Sequence, residues 1–191
     1  MPQACARSFS ERRAAERTNN MNLLVFSDSH GRTSKLLEAF SRQIKKPDAV
    51  IFLGDGLRDI SYCDGWDVPL LCVCGNCDVF NIFGSVNAEE EMFITLGGKR
   101  IMMTHGHNYS VKSTLTRLCM AAKRNDADIV LFGHTHQAFE QYLPAGETEY
   151  GVTLTKPLYL FNPGSIGDYE SSFGCIEIDA GGRVLLSHGN L

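Results

Sequence analysis

Beyond residue 20 the chain alternates short, unbroken apolar runs with stretches whose apolar positions recur at helical spacing. Asn22 to Ser27 is the first such run, and a strand without polar alternation is one covered on both faces. Residues 33–45 place Leu36, Leu37, Phe40 and Ile44 at helical spacing among Lys and Arg, which predicts an amphipathic helix. Asp48 to Leu53 predicts a second strand, and Gly54-Asp55-Gly56 leads from it into a short helix. A third strand runs from Pro69 to Cys74 and stops at Gly75-Asn76. Glu91 to Leu96 and Lys99 to Thr104 flank Gly97-Gly98, the pattern of a hairpin. Residues 110–125 predict a helix with Leu115, Leu118 and Cys119 on one face. Ala127 to Phe132 and Leu158 to Phe161 predict further strands, and a terminal hairpin joins Ile176–Ile178 to Val184–Leu186. The order is βαβαβ, then mostly β. Two facing sheets with helices on their outer sides accommodate both halves.

Residues 1–20 follow no such pattern. They are rich in Arg, Ala, Ser and Glu, without the apolar core of a signal peptide. The arginines leave a transit peptide open, although Glu11 and Glu16 count against one. The expectation is a disordered extension over 1–20 and one domain over 21–191. A net charge of -4 and a pI near 5.8 give no basic footprint for nucleic acid or an anionic membrane. A small phosphorylated substrate stays compatible with that charge if a bound metal supplies its own. No apolar run approaches the roughly 20 residues that span a bilayer. The seven cysteines are odd in number and several sit in apolar runs, so free thiols in a reducing cytoplasm are expected rather than a disulfide framework. Cys74-x-x-Cys77 lacks the second ligand pair of a structural zinc site.

The polar residues with chemistry in them are concentrated where the strands stop. Five of the six histidines lie in Asp28-Ser-His30-Gly, His105-Gly-His107 and Gly-His134-Thr-His136, and Gly54-Asp55 and Gly75-Asn76-Cys77-Asp78 add carboxylates and an amide. Ligands of open α/β sheets gather beyond the carboxyl ends of strands, so five such ends predict one crevice. Adjacent glycines let the backbone approach it closely. Asp28, His30, Asp55, Asn76, His105, His134 and His136 suffice for two divalent ions about 3.5–4 Å apart with a shared carboxylate. Mixed imidazole and carboxylate donors suit Mn²⁺, Fe, Co²⁺, Ni²⁺ or Zn²⁺ rather than Ca²⁺.

The order D-x-H, G-D, G-N-x-D, H-G-H, G-H-T-H and N-P-G-S, spread over residues 21–191, resembles the calcineurin-like metallophosphoesterase superfamily. Within it the chain is most similar to the small single-domain phosphodiesterases of the YfcE type. The resemblance implies an α/β fold, a four-layer α-β-β-α sandwich of two facing mixed sheets flanked by helices. It also implies that Asp28, His30 and His136 bind one ion, Asn76, His105 and His134 the other, and that Asp55 bridges them. A hydroxide held between two divalent ions, Mn²⁺ expected first, would then attack phosphorus in line. Asp55, Asn76 and His107 are the expected catalytic residues.

One position departs from the pattern. Larger members carry G-N-H-[DE], whose histidine contacts phosphate, and here Cys77 stands in its place. A thiol is a poor cationic acid, so His107 is the expected replacement on the substrate side, and esters with good leaving groups should react best. Asp78 reads as structural, Asp59 and Asp64 as surface loop charges, and His188 as a residue outside the site. Arg32 reads equally as a phosphate clamp or a solvated helix-start residue. Asn162-Pro163-Gly164-Ser165 reads as a turn, which the resemblance places near the metals with amides free for phosphate. The expected function is hydrolysis of a small phosphodiester by a cytoplasmic enzyme, with no membrane and no specific nucleic-acid partner, homo-oligomerisation being open. The alternatives are a VPS29-like protein-interaction scaffold with a vestigial metal site, which could lose the bridging carboxylate, and a phosphomonoesterase.

Overall fold

A computed structural model of the chain describes residues 20–78 and 88–191. The expected extension over 1–20 lies, apart from Asn20, outside the described residues.

Two five-stranded sheets form the centre of the molecule. In the first, β1 (Met21–Phe26) is parallel to β2 (Ala49–Phe52), which is parallel to β3 (Leu70–Cys72); β11 (Ser172–Ile178) and β12 (Val184–Asn190) add antiparallel on the other side of β1. In the second, β5 (Lys99–Thr104), β6 (Ile129–Phe132) and β10 (Leu158–Pro163) are parallel, flanked by antiparallel β4 (Glu91–Leu96) and β7 (Ala138–Leu143). A two-stranded ribbon, β8 (Thr148–Glu149) with β9 (Val152–Thr153), lies apart from them. Helix α1 spans Thr33–Ser41, α2 Leu57–Ile60 and α3 Thr116–Arg124.

The unbroken apolar runs are explained by where alternate side chains go. Leu23, Val25, Ala49 and Ile51 meet Ile101, Met103, Ile129, Leu131 and Phe161 in a core between the sheets. Their neighbours Leu24, Phe26, Val50 and Phe52 point the other way, against Leu36 and Ala39 of α1 and Leu57 and Ile60 of α2. Met102, Val130, Phe132 and Leu160 likewise pack under Leu118, Cys119, Ala121 and Ala122 of α3. The central strands β1, β2, β5, β6 and β10 are thus buried on both faces along most of their length, and the layers run α-β-β-α as expected. Full burial of one such side chain is worth about 1.5–3 kcal/mol.

The helix boundaries differ from the sequence reading. Helix α1 ends at Ser41 rather than 45, and Leu37 and Ile44, placed on its buried face by spacing, are exposed; Ile44 is wholly so, past the end of the helix. Helix α3 begins at Thr116, and residues 110–115 make turns instead. Leu115 still packs beneath it. The predicted strands are in place, with β10 extending through Asn162-Pro163 so that the N-P-G-S segment is half strand.

The described cysteines are all free, and Cys63, Cys72 and Cys119 are buried. No helix among the described residues is long and apolar enough to cross a membrane.

Candidate metal centre

The loops that leave β1, β2, β3, β5 and β6 meet across the two sheets, and side chain to main chain hydrogen bonds fasten them. His105 at the end of β5 donates from Nδ1 to the Leu53 carbonyl after β2, at 2.8 Å. The His134 amide after β6 donates to Asp28 Oδ2 after β1, at 3.1 Å. Five candidate donors are in the left-handed backbone region: Asp28, His30, Asp55, His134 and His136 have φ between 44° and 66°. For a side-chain-bearing residue that conformation costs on the order of 1–2 kcal/mol. Strain at so many site residues is carried by the packed strands that hold the loop ends.

Three groups of three donors result among the described residues, and in each the donor atoms lie within 4.8 Å of one another; one of them, His30, Asp55 and Cys77, links the other two. Asp28, His30 and His136 form the first. His136 Nε2 is 3.2 Å from both Asp28 Oδ1 and His30 Nε2. Asp55, His105 and His134 form the second, with His105 Nε2 at 3.4 Å from Asp55 Oδ2 and 3.2 Å from His134 Nδ1. The groups adjoin, since His105 Nε2 is also 3.9 Å from Asp28 Oδ1. Asn76 sits between Gly75 and Cys77 with an exposed side chain whose amide contacts Cys77 Sγ at 3.4 Å.

A divalent cation fits this arrangement on two grounds. Asp28 Oδ1 is buried and has no hydrogen-bond partner, yet three imidazole Nε2 atoms surround it. A buried carboxylate oxygen without a donor is costly unless a cation satisfies it. Secondly, the carbonyl of Leu53 can only accept, so Nδ1 of His105 is protonated, and the ring in its neutral form turns an acceptor nitrogen inward.

The electrostatics follow the same lines. Burial pushes the Asp28 carboxyl up, against His105, the Ser27 hydroxyl, His136 and the His134 amide. Burial also acts on Asp55, but hydrogen bonds from His105 and the Cys77 amide, with the charge of His105, carry its carboxyl well below the usual range. His105 is pulled down by burial and lifted more by Asp55 and Asp28. Burial and the neighbouring His105 bring His134 down to about 4.

His107 lies beside the second group, its ring 5.4 Å from that of His105 and 6.2 Å from that of His134. Its Nδ1 is buried and unpartnered. Burial and His105 hold the imidazole below its usual pKa, which works against the cationic acid expected of it. Cys77 is exposed, and burial and Asp55 push its thiol up to about 11. Its amide donates to Asp55 Oδ1 at 2.7 Å.

Several supporting residues are legible only in three dimensions. Asp78 accepts from the amides of Asp55 at 2.7 Å, Gly56 at 2.9 Å, Leu57 at 3.0 Å and Gly75 at 2.9 Å, tying the β2 and β3 loops together as a structural residue. Asp59, read as a surface charge, is instead buried: it accepts from the Ser29 hydroxyl at 2.6 Å, the Gly31 amide at 2.7 Å and the Thr33 hydroxyl at 3.2 Å. It secures the β1 loop to α2. Asp168, which sequence reasoning passed over, reaches His136 Nδ1 at 3.0 Å. The loop after β10 is near the centre, and several of its amides are engaged within the protein: Gly164 donates to Asn162, Ile166 to the Ser27 carbonyl, Gly167 to that of Asp28, and Asp168 to Ser165. Asp64 is exposed as expected. His188 is engaged elsewhere, with the Asn162 carbonyl and stacked on Phe161.

A cleft of about 540 Å³ opens on the donors. His30, Asp55, Cys77, Arg58 and Tyr62 are among its lining residues; Arg32 is exposed and is not part of the lining.

Comparison with known proteins bears on this geometry. The sequence model of the calcineurin-like phosphoesterase superfamily domain matches residues 21–181. The probable metallophosphoesterase YsnB of Bacillus subtilis (strain 168) is 32% identical over 146 residues, 76% of this chain and 75% of that protein. Among solved structures, an archaeal phosphodiesterase is similar with a TM-score of 0.63 at 21% identity, over 90% of this chain and 100% of that one. Vacuolar protein sorting 29 of Cryptosporidium parvum gives 0.64 at 17% identity, over 90% and 98%. At those identities both likenesses speak for the fold alone.

Proposed function

The chain belongs to the calcineurin-like phosphoesterase superfamily, a family of metal-dependent phosphoesterases, and we propose that its reaction is hydrolysis of a small phosphodiester at a pair of divalent ions. The observation that carries this reading is the pair of adjoining donor groups, Asp28/His30/His136 and Asp55/His105/His134. In it, Asp28, His30 and His136 hold one ion, Asn76, His105 and His134 the other, and Asp55 is shared. Two such ions lower the pKa of water and offset charge on phosphoryl oxygens. Mn²⁺ is the first choice, with Ni²⁺, Co²⁺, Fe and Zn²⁺ compatible with the same donors.

The protein's own part is positioning. A hydrogen bond from the Cys77 amide helps to keep Asp55 ionised and oriented, and Asp78 fixes the two loops that meet there. The cleft beside the donors gives an ester arm room between Arg58 and Tyr62. Neither Cys77, with its thiol near 11, nor His107, held neutral, is matched to protonate a leaving group at neutral pH. His107 is then a substrate-side contact, and alcohols that leave as stable anions are favoured. A full donor set, with Asp55 retained, speaks against a scaffold with a vestigial site. Free thiols at the described cysteines suit the expected cytoplasmic location.

The test is turnover of bis-p-nitrophenyl phosphate and of p-nitrophenyl phosphate under Mn²⁺, Co²⁺, Ni²⁺ and Zn²⁺ in turn, with bound metal counted by mass spectrometry. Diester turnover exceeding monoester turnover, with two ions per chain, is expected. A preference for the monoester would make the protein a phosphomonoesterase. No turnover of either ester by metal-replete protein would leave the scaffold.

A further inference from the structure

His136 is held between two carboxylates. Its Nε2 faces Asp28 Oδ1 at 3.2 Å inside the first donor group, and its Nδ1 faces Asp168 Oδ2 at 3.0 Å and Oδ1 at 3.2 Å on the outer side. The Asp168 carboxylate can only accept while ionised, so Nδ1 carries the proton and Nε2 presents its lone pair to the group.

The loop around Asp168 does not depend on that carboxylate. The Asp168 and Gly167 amides donate to Ser165 Oγ, each at 3.2 Å. The Lys35 ammonium donates to the Asp168 carbonyl and to Ser171 Oγ, and Ser171 Oγ donates to the same carbonyl at 2.8 Å. Main chain and neighbours thus shape the turn, and among the described residues the carboxylate's polar contacts are with His136. Half-exposed at 44%, it has little packing to contribute. The contrast with His105 is direct, since that imidazole is oriented by the neutral Leu53 carbonyl.

We propose that Asp168 is a positioning residue that fixes the orientation and tautomer of His136, so that the ion held by Asp28, His30 and His136 binds more tightly. The proposal rests on the metal-binding reading above and adds a determinant of one of its two sites. Removing a carboxylate behind a metal-binding histidine typically weakens metal affinity about 10–100-fold.

The experiment is a double-mutant cycle on the full chain, read by calorimetric titration with Mn²⁺ and by the visible spectrum of Co²⁺. D168N should weaken one binding event by about 10–100-fold and shift the Co²⁺ bands of that site. H136A should weaken the same event further, and D168N should add nothing in the H136A background. Melting temperatures of ion-free wild type and D168N should coincide, since the loop is fastened by its main chain. Unchanged metal affinity in D168N overturns the proposal, as does an equal loss with and without His136. A lowered ion-free melting temperature without a change in affinity would make Asp168 merely structural. If wild type takes up a single ion, the paired reading fails and the cycle is read on that ion. If it takes up none, both fail.

Discussion

His105 and His136 occupy equivalent places in the two donor groups and are held in opposite ways. His105 is wholly buried at the end of a central strand, its outer nitrogen on a main-chain carbonyl of the facing sheet. His136 is a third exposed, on a loop, with a carboxylate from another loop behind it. The second group is therefore built into the sheets, while the first is built from loops that the sheets merely anchor. The buried group should resist local change until its backbone is disturbed. The exposed one should be tunable through single side chains.

Removing the carboxylate proposed to bridge the two groups gives the largest effect. Asp55→Asn should lower kcat/KM for a diester by about a thousandfold, roughly 4 kcal/mol of transition-state stabilisation. The far-ultraviolet circular dichroism spectrum should not change. Activity within tenfold of wild type would remove Asp55 from the centre of the comparison.

Gly54→Ala should break the buried group selectively. Gly54 has φ of +95°, and an added Cβ would lie 2.5 Å from the Gly75 nitrogen, where backbone cannot yield cheaply. A loss of about 2–4 kcal/mol in urea unfolding is expected. The Co²⁺ signal of the exposed group should outlast that of the buried one.

Ion binding should offset the strain in both groups and the unpaired Asp28 oxygen in the first. At a hundred times Kd, Mn²⁺ should add about 2.7 kcal/mol per site, seen as a rise in melting temperature that a chelator reverses. No shift would mean that the donors are not ligands.

Asp78→Asn probes the tie between the β2 and β3 loops. It keeps the shape but loses the charge and half of the acceptor capacity that serves four amides. A cost of about 1–3 kcal/mol is expected in thermal or chemical unfolding. Least of all should Cys77→Ser matter, because the thiol is exposed while the amide that holds Asp55 is retained. Stability within about 0.5 kcal/mol and turnover within a few-fold are expected. A large loss of turnover would give the thiol a role in the reaction.

Much of this comparison was legible in the sequence. The central strands were, because both faces of each are covered and the apolar run is then continuous. The donors were, because histidine, aspartate and asparagine beside glycine mark loops at strand ends. The ends of α1 and α3 were not. Ile44 continues the helical spacing of Leu36 and Phe40, yet the helix stops at Ser41 and the residue is fully exposed. Spacing reports a possible face and not whether a layer lies over it. Asp59 and Asp168 were equally illegible, since their partners are some 30 residues away along the chain.

By itself the sequence determined the order of elements, the end of each strand at which chemistry gathers, and the residue types that gather there. Those properties are local, set by side-chain periodicity and by the preference of glycine and polar residues for turns. Only the tertiary structure decided how the donors are shared out. It put Asp28 with His136, 108 positions away, left Asp28 Oδ1 without a donor, and set Leu53 behind one histidine and Asp168 behind the other. The reason is that the two sheets meet through an apolar core whose packing brings their loops together, and no local pattern along the chain encodes which loops will touch.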